Sequence, residues 1–221
     1  NGVRKTKTEG ELMPDFAIEN SLNKLTAGID EAGRGPWAGP VVAGAVVFLD
    51  RAVEKTLLDG LDDSKKLSAK KREMLYQLLF EEEKKGKLAI GIGEASCKEI
   101  DDINILQATF LAMRRAVEAL KIKPEMAIID GNQNPKNFPC PSKTIIKGDA
   151  RSLSISAASI VANVYRDRLM TELAKKYPHY AFEKNAGYGT AAHISGLKEH
   201  GICPEHRCSY KPIQAIINSA A

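Results

Sequence analysis

The chain of 221 residues has no stretch approaching the ~20 consecutive apolar residues of a membrane helix, so a helical span is excluded. Residues 1–12 are polar and basic and hold no apolar core, so they do not read as a signal peptide. Four cysteines, Cys97, Cys140, Cys203 and Cys208, stand at irregular positions that do not make a disulfide framework, and a cytoplasmic, reducing location is expected. There is no internal repeat and no low-complexity linker. Neither sign of charge dominates: 32 Lys and Arg against 28 Asp and Glu give +4, which admits a nucleic-acid partner without demonstrating one. The length fits one domain with a real core and leaves room for a small appendage.

What is present is concentrated in Gly28-Ile-Asp-Glu-Ala-Gly-Arg-Gly-Pro-Trp-Ala-Gly-Pro40. Adjacent carboxylates, Asp30 and Glu31, follow a strand-like Leu25–Ile29 and precede a glycine-rich turn, after which Val41–Leu49 reads as a second strand. Carboxylates at the end of a buried strand are costly unless something cationic offsets them. Gly33, Gly35 and Gly39 let backbone approach a ligand closely, and Arg34 among them suits an anion such as phosphate. Metal-binding acids beside a phosphate-binding arginine suggest phosphoryl-transfer chemistry. A tight hairpin with solvated acids remains the plain alternative for this segment.

Further on, Ser68 N-caps a predicted amphipathic helix to about Glu83, and Leu88–Glu94 alternates as a strand. Ile105, Ala108, Phe110, Leu111, Val117 and Leu120 lie at helical spacing within a helix from Asn104 to Leu120. Met126–Asp130 and Thr144–Ile146 are short buried strands. Arg151–Tyr177 is the strongest helix, with Leu153, Ala157, Ile160, Val161 and Val164 on an apolar stripe. Ser152, Ser156, Ser159, Asn163 and Arg166 gather on its polar face. Short helices are predicted near Thr190–His200 and at Ile213–Ile217. This order implies an α/β domain with a mixed sheet.

Three strand-like segments end on acid: Ile29 before Asp30 and Glu31, Ile129 before Asp130, and Ile146 shortly before Asp149. Ligands of open α/β sheets collect just beyond strand ends. Four carboxylates converging there would repel one another, and hard divalent cations such as Mg²⁺ or Mn²⁺ supply the counter-charge. Any one of these acids alone reads more readily as a cap or a surface residue; the repetition is what carries weight.

The motifs Gly28-Ile-Asp-Glu-Ala-Gly-Arg-Gly35, Ala38-Gly-Pro-Val-Val-Ala43, Asp63-Ser-Lys-Lys-Leu67, Ile129-Asp-Gly131, Lys147-Gly-Asp149, Ser156-Ala-Ala-Ser-Ile-Val-Ala162 and Gly187-Tyr-Gly-Thr190 occur in this order. With them the chain resembles the type 2 ribonucleases H of the bacterial ribonuclease HII kind, over roughly residues 25–212. The resemblance implies an RNase H-like fold: a mixed five-stranded sheet flanked by helices, with a short helical C-terminal region. It implies a catalytic domain over 21–178, an N-terminal extension over 1–20 that is loose or a peripheral helix, and a C-terminal region over 179–221 completing the substrate groove. The implied partners are RNA–DNA hybrid and duplex DNA containing ribonucleotides, cut with Mg²⁺ or Mn²⁺; a monomer is expected because it suits a single compact domain. Asp30, Glu31, Asp130 and Asp149 match the family's metal-binding acids. Gly33, Arg34 and Gly35 match a turn that senses the ribose 2′-hydroxyl with backbone groups, and Tyr188 matches a tyrosine packing on the neighbouring sugar.

Ser64 and Lys65 are candidate phosphate contacts at a helix start, against the plainer reading of a solvated charged turn. Lys147 and Arg151 bracket Asp149 and are candidates to offset the acids or touch the hybrid backbone. Of the serine face, Ser152 and Ser156 are expected to contact substrate and Ser159 to pack. Asn163 departs from the lysine usual in the family. His200, Cys203, His206 and Cys208 look superficially like a zinc cluster but lack its paired spacing, so His206 and Arg207 are expected to settle C-terminal packing. A non-catalytic hybrid-binding module and a phosphatase acting on a small substrate are the rival readings. Four clustered negative charges argue against the first, and Tyr188 has no use in the second.

Overall fold

The structure is a computed structural model that describes residues 13–62 and 67–219. Five strands form one sheet: β1 (Thr26–Ala32), β2 (Val41–Phe48), β3 (Leu88–Ala95), β4 (Met126–Asp130) and β5 (Ser142–Ile145), in the order β3-β2-β1-β4-β5. β1 pairs antiparallel with β2, and β2 with β3, whereas β1–β4 and β4–β5 are parallel. The sheet is therefore mixed, as the sequence implies.

Side-chain alternation decides what each face meets. Ala27, Ile29, Val41, Ala43, Ala45 and Val47 point to one side and are covered by α4 (Cys97–Glu118). On the other side lie α5 (Leu153–Lys176) and α3 (Ala69–Lys84), packed on Val46, Leu88 and Ile90. The second contact is unusually close. A Cβ on Gly28 would land on the Ser154–Ile155 backbone, and one on Gly44 would reach the Ala158 carbonyl, so glycine in the sheet admits α5 directly onto it. The last half of α5 forms a third core with α6 (Phe182–Asn185), α7 (Ala191–His200) and α8 (Lys211–Ser219), through Met170, Phe182, Leu197 and Ile213.

Ser68 caps α3 by accepting from Lys71 N at 3.3 Å. α4 begins earlier than periodicity predicts. Ser96 and Glu99 form a capping box that starts it at Cys97, and Asn104, with φ 67°, breaks the helix and recaps it by accepting from Leu106 N and Gln107 N. The predicted start at Asn104 is that second cap. β5 ends at Ile145, not Ile146, which is exposed.

Two short helices, α1 (Ala17–Leu22) and α2 (Lys55–Gly60), are too brief for periodicity to reveal. α1 also shifts the predicted boundary at residue 20. Asp15 bridges Ser152, and Glu19 is buried against the start of α5, so the chain from Asp15 onward belongs to the domain. The rest of the predicted extension, residues 1–12, lies outside the described residues. No helix among the described residues is long and apolar enough to cross a membrane.

Candidate active site

Pairing register brings the acids together. Ile29 is opposite Ile129 in the parallel β1–β4 pair, so the next residues, Asp30 and Asp130, stand side by side at the strand ends. Alternation turns Asp30 toward α5, where Ser159 bonds its carboxylate, and turns Glu31 toward α4. Glu31 shares a cleft of about 180 Å³ with Arg34, Thr109, Met113 and Asp130. A larger depression of about 730 Å³, lined by Phe110, Arg114 and Lys136 among others, lies beside this cleft rather than over the acids.

Asp30 is buried, and burial pushes its carboxyl well above the usual carboxylate range, with the charges of Glu31 and Asp130 pushing the same way. Burial also raises Glu31, opposed by the Arg34 guanidinium, whose Nη1 is 3.3 Å from Glu31 Oε1. The Arg34 side chain is half exposed, so it reaches both solvent and the acid. Asp130 Oδ1 accepts from Gly148 N at 2.6 Å, which ties the end of β4 to the turn carrying Asp149. Asp149 is buried in a single 3-10 turn, Gly148–Ala150, where it accepts from Ala150 N at 2.9 Å.

No three His, Cys, Asp or Glu among the described residues are gathered tightly enough to hold an ion by themselves. The donor set nevertheless fits a hard divalent cation. It consists of carboxylate oxygens, partly desolvated and mutually repelling, in an open cleft where water and phosphate can complete the coordination.

The turn after β1 faces a second loop. Trp37 N donates to Gly187 O at 2.8 Å, and a Cβ on Gly35 would lie 3.4 Å from Tyr188 Cε1. Tyr188, 52% exposed, thus leans over Gly35 with its ring open to solvent. Lys147 is exposed at the rim beside Asp149, in a left-handed conformation with φ 54°.

A profile of the ribonuclease HII family matches residues 27–213. The chain belongs to the ribonuclease HII family. It is 53% identical to ribonuclease HII of Gluconobacter oxydans over 209 residues, covering 95% of this chain and 99% of the relative. It is 52% identical to ribonuclease HII of Paramagnetospirillum magneticum, covering 91% and 97%. Among solved structures, the crystal structure of ribonuclease H2 from Pyrococcus horikoshii OT3 superposes with a TM-score of 0.70 at 29% identity, covering 88% and 97%. As a ribonuclease HII, the chain is a metal-dependent endonuclease with ribonuclease H activity on RNA–DNA hybrids.

Two expected substrate contacts are corrected. Ser152 and Ser156 are completely buried. The Ser152 hydroxyl caps α5 by accepting from Ile155 N at 3.1 Å and donates to Glu19 Oε1 at 2.7 Å. Ser156 donates to the Asp62 carbonyl at 2.9 Å. A polar helix face does not distinguish solvent from a buried hydrogen-bond network, and here the acceptors come from α1 and the segment after α2. Ser64 and Lys65 lie outside the described residues. Asn163 donates back to the Ser159 carbonyl at 2.9 Å.

The sequence reading missed that Arg166 and Arg207, both buried, reach the glycine turn. The available signal was arginine among the small residues of α5 and after His206, which by itself points equally to packing.

His206 and Arg207 do organise the C-terminal region. His193 Nδ1 meets the Tyr188 carbonyl at 3.0 Å, so it carries a proton, and its Nε2 accepts from His206 Nε2 at 2.9 Å. His206 Nδ1 then accepts from Cys203 N at 2.9 Å. This neutral relay is buried. Burial, and then the His193 charge, lower His206 to about 4, and burial lowers His193. An unfolded histidine takes its proton near 6.5 but the folded one resists it, so this stability is full above about pH 6.5 and drains as pH falls toward 4. His206→Gln is expected to flatten the fall in thermal midpoint between pH 6.5 and 4.5. An unchanged slope would contradict the neutral pair.

Proposed function

We propose that this ribonuclease HII hydrolyses the RNA strand of hybrids and also cuts at ribonucleotides embedded in duplex DNA, leaving 5′-phosphate and 3′-hydroxyl ends. Asp30, Glu31, Asp130 and Asp149 would hold Mg²⁺ or Mn²⁺. When bound, two such ions supply a water activated against the phosphate and a counter-charge for the departing 3′-oxygen. The observation that carries this reading is the juxtaposition of Asp30 with Asp130 at the ends of β1 and β4, where burial and the neighbouring acids already disfavour the charge on Asp30 without a cation.

The chain's own groups do the rest. Gly148 N fixes one Asp130 oxygen, leaving the other to face the cleft, and Ser159 orients Asp30. Arg34 offsets Glu31, and its half-exposed guanidinium would also reach a phosphate of the strand. Backbone amides of Gly33, Arg34 and Gly35 would bond the 2′-hydroxyl, the one group distinguishing ribose from deoxyribose. Tyr188, leaning over Gly35, would stack on the adjoining sugar. Lys147 at the rim would meet the backbone. We read the working form as a monomer in a reducing cytoplasm; the four cysteines are free thiols.

Three duplexes of one sequence test this: one carrying a single ribonucleotide, one RNA–DNA hybrid and one all-DNA, each with Mg²⁺ or Mn²⁺. Cleavage of the first two and not the third is expected. Comparable cleavage of plain DNA would overturn the reading of the 2′-hydroxyl.

A further inference from the structure

Two arginines, far apart in sequence, are spent on the glycine turn. Arg207, fully buried, donates from Nη2 to Gly33 O at 2.5 Å and Gly39 O at 2.8 Å, from Nε to Gly39 O at 3.0 Å, and from Nη1 to Arg34 O at 2.9 Å. Tyr210 joins it, its hydroxyl donating to Arg34 O at 2.6 Å and accepting from Arg207 Nη1 at 3.0 Å. Arg166, also buried, donates to Pro40 O at 3.0 Å, Ala38 O at 3.1 Å and, across the gap, Ala186 O at 2.9 Å. Among the described residues neither guanidinium forms a salt bridge. Packing two buried cations close together is costly, and apolar side chains would fill the same volume more cheaply. What a guanidinium adds is a rigid fork of directed donors.

The direction matters. In a trans peptide the N–H points opposite to the C=O. With the Gly33 and Arg34 carbonyls held inward, the N–H groups of the same two peptide units, those of Arg34 and Gly35, are turned away from Arg207. We infer that Arg166, Arg207 and Tyr210 are positioning residues that aim the Arg34 and Gly35 amides outward and hold the Tyr188 loop at a fixed distance from them. This inference rests on the reading of that turn as the ribose sensor. Arg166 couples the two halves, since one guanidinium bonds the carbonyls of Ala38 and Pro40 on the turn and of Ala186 on the Tyr188 loop. Specificity for ribose, read by those amides, then depends on residues that never touch the substrate.

Tyr210→Phe, Arg166→Lys and Arg207→Lys test the inference, with Leu79→Ala, a buried α3 residue far from the turn, as a destabilised control. Binding to the single-ribonucleotide duplex and to its all-DNA counterpart is measured with Ca²⁺ replacing Mg²⁺, and the bound strand is checked to be intact. Wild type is expected to prefer the ribonucleotide by about tenfold, ~1.4 kcal/mol, the scale of one net hydrogen bond. Each positioning variant is expected to lose most of that ratio while all-DNA affinity stays within about twofold, and Leu79→Ala to keep the ratio despite a lower melting temperature. Tyr210→Phe removes one hydroxyl and leaves the guanidiniums in place, so it reports even if an arginine variant does not fold. If wild type shows no preference, the sensor reading of the turn fails. If wild type shows it and Tyr210→Phe and the folded arginine variants keep it, or if Leu79→Ala loses it equally, the positioning role is overturned.

Discussion

Asp30→Asn is expected to lower single-turnover cleavage of an RNA–DNA hybrid by about 10³-fold or more, equivalent to ~4 kcal/mol of transition-state stabilisation. The same change is expected to raise the melting temperature in metal-free buffer. Asp30 is buried beside two other acids, and a carboxylate raised above its unfolded value weighs against the folded state at neutral pH. Asparagine keeps the size and a carbonyl oxygen and removes the charge. Loss of activity with gain of stability is the behaviour of a site held in a costly state for function. Full activity would remove Asp30 from the metal set. A large fall in melting temperature would show that its charge is already compensated within the chain.

Gly33→Ala is expected to have the second largest effect, on both folding and cleavage. Its φ is +91°, where a Cβ is strained, and that Cβ would land on the Nε, Cδ and Cζ atoms of Arg166. Relieving the clash means withdrawing a buried guanidinium from three carbonyls. Loss of about 3 kcal/mol of stability is expected, from backbone strain together with hydrogen bonds left unmade. Cleavage should fall by about 10²-fold at a temperature where the variant remains folded, since one displaced contact is worth that much in a preorganised site. Gly86→Ala gives the contrast. Gly86 also has positive φ, +74°, but nothing lies within 4 Å of its Cβ position, so only the backbone strain remains and cleavage should be unchanged. Equal stability losses in the two variants would show that the Arg166 contact carries no weight.

These two residues also mark how far the sequence could be read. Asp30, Glu31 and Asp130 are visible because each follows an apolar run, and strand ends are local properties. Their meeting depends on the parallel register of β1 with β4, which the motif order of a family supplies and composition does not. A mixed sheet follows from the order of the elements and the long helix over 153–176 from periodicity, whereas the five-stranded RNase H-like arrangement comes with the family resemblance. α1 and α2 do not, because each is held by tertiary contacts rather than by its own pattern. Ser152 and Ser156 went wrong for a related reason. Their spacing sets a polar face, but whether Glu19 and the Asp62 carbonyl or a nucleic acid meets it is decided more than 90 residues away in sequence. Arg166 and Arg207 were equally hidden, since nothing local tells a guanidinium that binds phosphate from one that binds carbonyls.

The central claim, that the acids at the ends of β1 and β4 hold divalent ions, is tested most directly by counting them. Titrating Mn²⁺ into the protein bound to a non-cleavable hybrid, with free Mn²⁺ read by electron paramagnetic resonance, should give two ions per wild-type chain. Asp130→Asn is the informative partner, because its amide oxygen can still accept from Gly148 N and so preserve the turn that carries Asp149. That variant is expected to lose at least one ion, or to weaken it by about tenfold or more, with hybrid binding intact. Two ions held as tightly by Asp130→Asn as by wild type would contradict the assignment.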